Sequence, residues 1–471
     1  MIAANIGRTF LNAWNEKNKK EYSAKEFFEK EFIPLFFDNP KYLMTGGNSP
    51  LENPKITWKK GVTPSAEERE DRIKKTIEKI YSNSCDASIA LGFPASEDSE
   101  FATTSGLVTD MDLKYSPDDK MLSWIGGGLG VGVAGGYSIF FDHPQILLTL
   151  YDGWKTYRKL LNDPTLNKLA GNKINSWNGQ WLNFAYSIDY EENPDFSFLL
   201  NCKFFKHDEK EIVIDTIFWA KLYFNLSETF SDETVTAYVY SLGQTNKTIG
   251  FIPFRFHQGH SILSIYKILF GENDALTQKK DYENMFGIHI KRACELGTIG
   301  LQALEPQGLR EYFDKGRMPD FSTTTITPKN GEAQELIEER QKKVNQKNYE
   351  NLISFRTYKT WLLAMITKNK QEDLHYSEEV ALALKKYRAD AKKRDRANLL
   401  ENELLQAKTK KQFLDGLATL IKDVDPNLLG TFKTLRDKVH LMTAEDFGYF
   451  VVLLKFDRYR RLDRCSYITS I

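Results

Sequence analysis

Asp110, Asp112 and Lys114 stand in "TDMDLK", with Asp98 upstream. Carboxylates and a lysine at such spacing are what a magnesium-dependent nuclease uses to hold metal and position an attacking water. The neighbouring "SPDD" is turn-like and no strong β-hairpin frames the set, so solvated loop charges explain the pattern as well. His257 and His260 in "FHQGHS" are spaced to place two imidazoles on one metal, but no nearby Cys or carboxylate completes a ligand set. Gly130, Gly132 and Gly135 spell G-x-G-x-x-G, and "YSIFF" and "DHP" follow where a dinucleotide fold would open a helix. No P-loop, G-x-S-x-G, H-E-x-x-H or Cys–His pattern occurs. The chain reads as one without catalytic residues, metal or cofactor.

Residues suited to nucleic acid are more numerous. Lys55, Lys59 and Lys60 flank Trp58, with Asn48 earlier in the same polar stretch; Asn172, Lys173, Asn175, Trp177, Asn178, Gln180 and Trp181 crowd a second stretch. Amides read base edges, tryptophans stack and lysines meet phosphate. "KKYRADAKKRDR" places Lys385, Lys386, Arg388, Lys392, Lys393, Arg394 and Arg396 within twelve residues, and Arg458, Arg460, Arg461 and Arg464 form a further basic run. The 64 basic and 64 acidic residues balance overall. From Arg340 onward, however, 27 Lys and Arg face 17 Asp and Glu, the footprint of a polyanion partner.

The elements that must position these residues follow from pattern. At 471 residues, two or three domains are expected. Ser23 with Glu26 and Ser65 with Glu68 have capping-box spacing, so helices are expected ahead of residue 84. "TGGNSPLENPKITWKK" lies between them as a loop, and residues 84–144 read as glycine-rich and irregular. A helix over "QILLTLYDGWKTYRKLL" and a polar loop over "AGNKINSWNGQW" come next. The period then switches to two, giving strands over "FSFLLNCKFF", "EIVIDTIFWAKLYF", "TVTAYVYSL" and "TIGFIPFRF", with a turn at "GQTNK". Helices resume near His260. Beyond a linker, 318–332, four or five helices form a bundle. The expectation is an α+β chain: a mixed body with an antiparallel sheet over 1–317, then a basic all-α bundle over 333–471. Four scattered cysteines and no apolar leader point to a reducing cytoplasm.

Leu122–Phe141 holds 20 uncharged residues, seven of them glycine. Its glycine content argues against a membrane helix. Two readings stay open: glycines that let two elements press together, or bare backbone at Gly126, Gly127 and Gly128 against which a nucleic-acid strand lies.

"IGRTFLNAWNEKNKKEYSAKEFFEKEFIPLFFDNPKYLMTGGNSP", the region "TTSGLVTD…SWIGGGLGVGVAGG…GWKTYR" and the layout of mixed body plus helical bundle resemble the large subunit of type I CRISPR interference complexes (Cascade), most like subtype I-B. The chain lacks the paired C-x-x-C motifs of some relatives. The resemblance implies a non-catalytic subunit whose body grips the 5′ end of the CRISPR RNA and reads the motif (PAM) beside a duplex DNA target. It also implies duplex opening, docking of a helicase–nuclease, and contact with the backbone, 5′-handle and small subunits. Under it, Asn48, Lys59, Asn175, Asn178 and Gln180 are the candidates for motif reading, Gly126–Gly128 for close backbone approach, and the basic residues of 385–396 for phosphate contact. An internal start at Met318 would yield the bundle as a separate product. The alternative is a metal-dependent nuclease, or another stand-alone antiviral enzyme, using Asp98, Asp112 and Lys114.

Overall fold

Serines open three of the N-terminal helices. In the computed structural model, Ser23 and Glu26 form a reciprocal capping box at α2 (Ala24–Phe27), and Ser65 and Glu68 do the same at α4 (Ala66–Tyr81). Ser116 accepts from the Asp119 amide at α5 (Pro117–Gly128), where Pro117 occupies the first turn. The structure describes residues 2–44, 64–81, 115–241 except 188 and 208–210, 247–270, short stretches between 286 and 328, 333–367, 375–389 and 394–458. Asp98, Asp110, Asp112, Lys114, Trp58 and Met318 lie outside them, as do most of the proposed linker and the "GQTNK" turn.

The chain forms two compact units, Met1–His257 with Ala293–Ile299, and Gln258–Arg292 with Gly300–Ile471. The division falls inside α10 (Phe256–Phe270), upstream of the compositional break near 318.

The first unit is mixed α/β. Helix α1 (Ile2–Asn18) packs on α5, and α2 runs through a π-helical turn (Phe28–Phe32) into α3 (Ile33–Phe36). Phe10, Phe27, Phe32, Phe36, Tyr151 and Trp154 form one aromatic core, with Phe32 and Phe36 stacked at 4.2 Å. The irregular reading of residues 84–144 is corrected over its described part. The glycine stretch ends α5 and then forms a hairpin, β1 (Val131–Val133) and β2 (Tyr137–Phe141), turned by Gly135 and Gly136 at positive φ. The expected helix is α6 (Pro144–Leu161).

Two expected strands are helical in part. Asp195 caps α8 (Phe196–Asn201), and Trp219–Thr229 is α9; only Phe205–His207 (β3) and Ile212–Ile214 (β4) pair, as a separate hairpin. Alternating aromatics in "FSFLL" and "FWAKLYF" satisfy a helical face once a cap and a core wall exist. The other two strands hold. β5 (Thr234–Ser241) and β6 (Lys247–Arg255) join the glycine hairpin in an antiparallel sheet ordered β1-β2-β5-β6.

The second unit includes a short pairing of β7 (Phe286–Ile288) with β8 (Leu304–Pro306) and a largely helical bundle. The bundle comprises α11 (Gln334–Thr367), α12 (Tyr376–Ala389), α13 (Arg394–Asn398) with a π-helical turn (Leu399–Leu404), α14 (Lys410–Ile421), α15 (Leu429–Leu441) and α16 (Ala444–Arg458). Its core gathers Leu384, Leu400, Phe413, Leu417, Phe432 and Leu454. Among the described residues no helix is long and apolar enough to cross a membrane.

Candidate nucleic-acid interface

The residues picked for DNA reading divide sharply by burial. Asn178 is fully buried on α7 (Ile174–Ala185), which replaces the expected polar loop. Its amide donates to the carbonyls of Gly128 (2.7 Å) and Gly130 (2.9 Å) and accepts from the Trp154 indole (3.2 Å). It therefore closes the open carbonyls where α5 ends; both amide hydrogens are spent and burial keeps its oxygen from a base edge. Gln180 is buried too, donating to the Asp215 carbonyl at 3.0 Å. Trp177 and Trp181, four apart on α7, stack on each other, and Trp177 stacks on Tyr157 at 4.7 Å inside the core. These two amides and two indoles are packing elements. A helical spacing of four within an amide-rich stretch was the available clue.

Gly126, Gly127 and Gly128 are buried as well. A Cβ on Gly126 would lie 1.8 Å from the Ala3 carbonyl oxygen, and one on Gly128 would meet Phe36 and Trp154 at 3.1–3.2 Å. Gly132 repeats the pattern against the Asn175 backbone (2.9 Å). Of the two readings of this stretch, close packing is the one the structure supports, and a buried backbone presents no surface to a nucleic acid.

Lys41, Tyr42 and Leu43 form a short stem segment after α3, and Asn48 and Lys59 lie outside the described residues. Against this stem runs the segment before α7: the Asn172 amide donates to Tyr42 O (2.6 Å) and the Ile174 amide to Leu43 O (3.2 Å). Asn172 adopts φ 59°, a conformation that asparagine tolerates better than most residues. Asn172 and Lys173 are exposed and Asn175 is half-buried beside this stem.

Two cations, the buried Arg158 and the half-buried Lys41, brace it. Arg158 of α6 donates to the carbonyls of Leu35 (2.6 Å) and Lys41 (2.9 Å), and Lys41 donates to those of Asn167 (2.8 Å) and Leu169 (2.7 Å). Neither forms a salt bridge among the described residues, although the Glu211 carboxylate acts on Lys41 from a distance. Burial pushes the Arg158 guanidinium down to about 10, which leaves it charged near neutrality, and lowers the Lys41 ammonium. The stem thus carries two cations bound chiefly to carbonyls, a locally positive setting. Sequence reasoning missed both residues. The signal was an arginine on an apolar helical face, four residues from Trp154.

In the bundle, Lys385 and Lys386 are exposed on α12. Arg388 approaches Glu401 at 3.6 Å, while Arg396 bonds the Asp423 side chain (2.8 Å) and carbonyl (2.7 Å) and covers the Tyr387 ring. Arg396 is therefore a brace between segments of the bundle, a correction to its reading as a phosphate ligand. Lys392 and Lys393 lie outside the described residues, as does the side chain of Arg394. His257 and His260 are exposed in the first turns of α10, and no group of three or more His, Cys, Asp or Glu suited to a metal occurs among the described residues.

Comparison of the chain with protein-family models, with curated proteins and with solved structures finds no match.

Proposed function

We propose that this chain is the non-catalytic large subunit of a type I CRISPR RNA-guided interference complex (Cascade), most like subtype I-B. In this role it binds CRISPR RNA and the backbone, 5′-handle and small subunits. It reads the motif flanking a duplex DNA target, aids strand opening and recruits the helicase–nuclease. Target identity is read by RNA–DNA pairing, and the protein reads only the motif and backbone shape.

The observation that carries this reading is the stem. The segment Asn172–Asn175, chosen for motif reading, is held against Tyr42 and Leu43, beside the carbonyl-bound cations Lys41 and Arg158. In addition, described parts of the segments that bear the resemblance share one core: α1 packs against α5, and α6 packs on α1 and α3 through Phe10, Phe36 and Trp154. Exposed Lys385 and Lys386 supply phosphate contacts in the bundle.

Purification of the tagged chain from its own cells tests the proposal. The expected result is a short RNA of uniform length with a multi-copy backbone protein. A chain that purifies alone and cleaves DNA with Mg²⁺, with cleavage abolished by Asp112→Ala, overturns it in favour of the nuclease.

A further inference from the structure

Lys359 of α11 is buried, with 2% of its side chain exposed, and its ammonium meets two carboxylates on two other helices. One is Glu378 of α12, 26% exposed; the other is Asp457 of α16, 1% exposed, at 3.0 Å. The Ser377 hydroxyl lies beside Asp457, and among the described residues neither makes a well-aligned hydrogen bond. Toward Asp457 the contact is electrostatic, while Glu378 accepts a hydrogen bond from the Lys359 ammonium. An arrangement of this kind adds little net stability, because the desolvation of both ions opposes their attraction.

The surrounding helices explain what else it does. Thr357–Met365 of α11 is buried at nine consecutive positions, and Phe450–Leu454, Phe456 and Asp457 of α16 are buried as well. A helix buried all round has no apolar stripe, so hydrophobic burial alone does not choose its rotation or its axial setting. Aliphatic and aromatic side chains of similar volume can exchange places across such a contact with little loss. Opposite charges cannot.

We infer that Lys359, Asp457 and Glu378 act as a register lock, in which one buried ammonium shared by two carboxylates selects a single setting of α11 against α12 and α16. The Trp361 indole, one half-turn further along α11, donates to the Leu301 carbonyl at 3.0 Å and so reports that setting. The other titratable groups nearby are His375, 3.8 Å from Glu378, and Lys455, which contacts the Tyr312 hydroxyl, with Tyr358 and Glu305 on the α11 and β8 side.

The lock responds to pH. Burial raises the Asp457 carboxyl above the usual range, with Lys359 and Ser377 opposing. A carboxyl raised in the fold favours folding most below its unfolded value, and that contribution falls as pH rises through the raised value. Acid therefore neutralises Asp457 and releases the register without withdrawing stability at this group.

The test uses the full chain with fluorinated tryptophan, the Trp361 resonance being assigned by its loss in Trp361→Phe. At mildly alkaline pH the wild type gives one Trp361 resonance. Asp457→Asn and the double variant Lys359→Met with Asp457→Leu are expected to keep native helix content and a melting temperature near wild type, yet to split or broaden that resonance. Wild type is expected to do the same, reversibly, on acidification. A single resonance at the wild-type position in either folded variant overturns the lock. Loss of folding in both variants also overturns it, since the charges would then serve stability rather than register.

Discussion

Gly7 of α1 and Gly126 of α5 face one another across a backbone-to-backbone contact: a Cβ on Gly7 would stand 2.1 Å from the Leu122 carbonyl oxygen, and one on Gly126 would stand 2.9 Å from the Gly7 nitrogen. No side chain can give way, because the obstacles are main-chain atoms. Gly126→Val is therefore expected to abolish folding, and Gly126→Ala to cost about 3 kcal/mol or more in urea unfolding. A folded Gly126→Val variant with normal stability would contradict the close contact.

Gly430 and Gly448 make the opposite case. Both are exposed in the helices α15 and α16, and a Cβ at either meets nothing within 4 Å. Alanine at each position is expected to raise stability by up to about 1 kcal/mol through helix propensity. Destabilisation by Gly448→Ala would show that a surface is being covered there.

Asn178 closes two carbonyls and one indole inside the fold. Asn178→Ala leaves those groups buried without partners and is expected to cost about 3 kcal/mol. Nucleic-acid affinity per folded molecule stays unchanged, measured by titration below the melting transition. A selective loss of motif preference at native stability would restore the amide as a reader.

Lys385 and Lys386 are exposed, whereas Arg396 is tied to Asp423 and Tyr387. The double variant Lys385→Ala with Lys386→Ala is expected to leave the melting temperature alone and to weaken DNA binding, with the salt dependence of log K shallower by about 2. Arg396→Ala is expected to lower the melting temperature, because two hydrogen bonds to Asp423 and the cover of the Tyr387 ring are lost. Equal effects of the two changes on salt dependence would put Arg396 back among the phosphate ligands.

Glu401 accepts from Arg458 at 2.6 Å, which holds its carboxyl below the usual carboxylate range. A carboxyl depressed in the fold contributes stability above its unfolded value and loses it as pH falls through the folded one. The wild-type advantage over Glu401→Gln is thus expected near neutrality and to fade in acid. It stays below about 1 kcal/mol because both partners reach solvent. An advantage that grows in acid would reverse the assignment.

Local chemistry determined much of this protein from sequence. The capping boxes at Ser23 and Ser65, the helix over "QILLTLYDGWKTYRKLL", the strands at Thr234 and Lys247 and the helical C-terminal bundle all follow from spacing and propensity. Those forces act between near neighbours. Tertiary structure decided the rest. Whether Asn178 or Asn175 faces outward depends on where α7 lands against β1, and residue type alone carries no record of that. Gly126 shows the same limit. Its lack of a side chain was legible, but only the approach of α1 decided that the space would be filled by protein backbone.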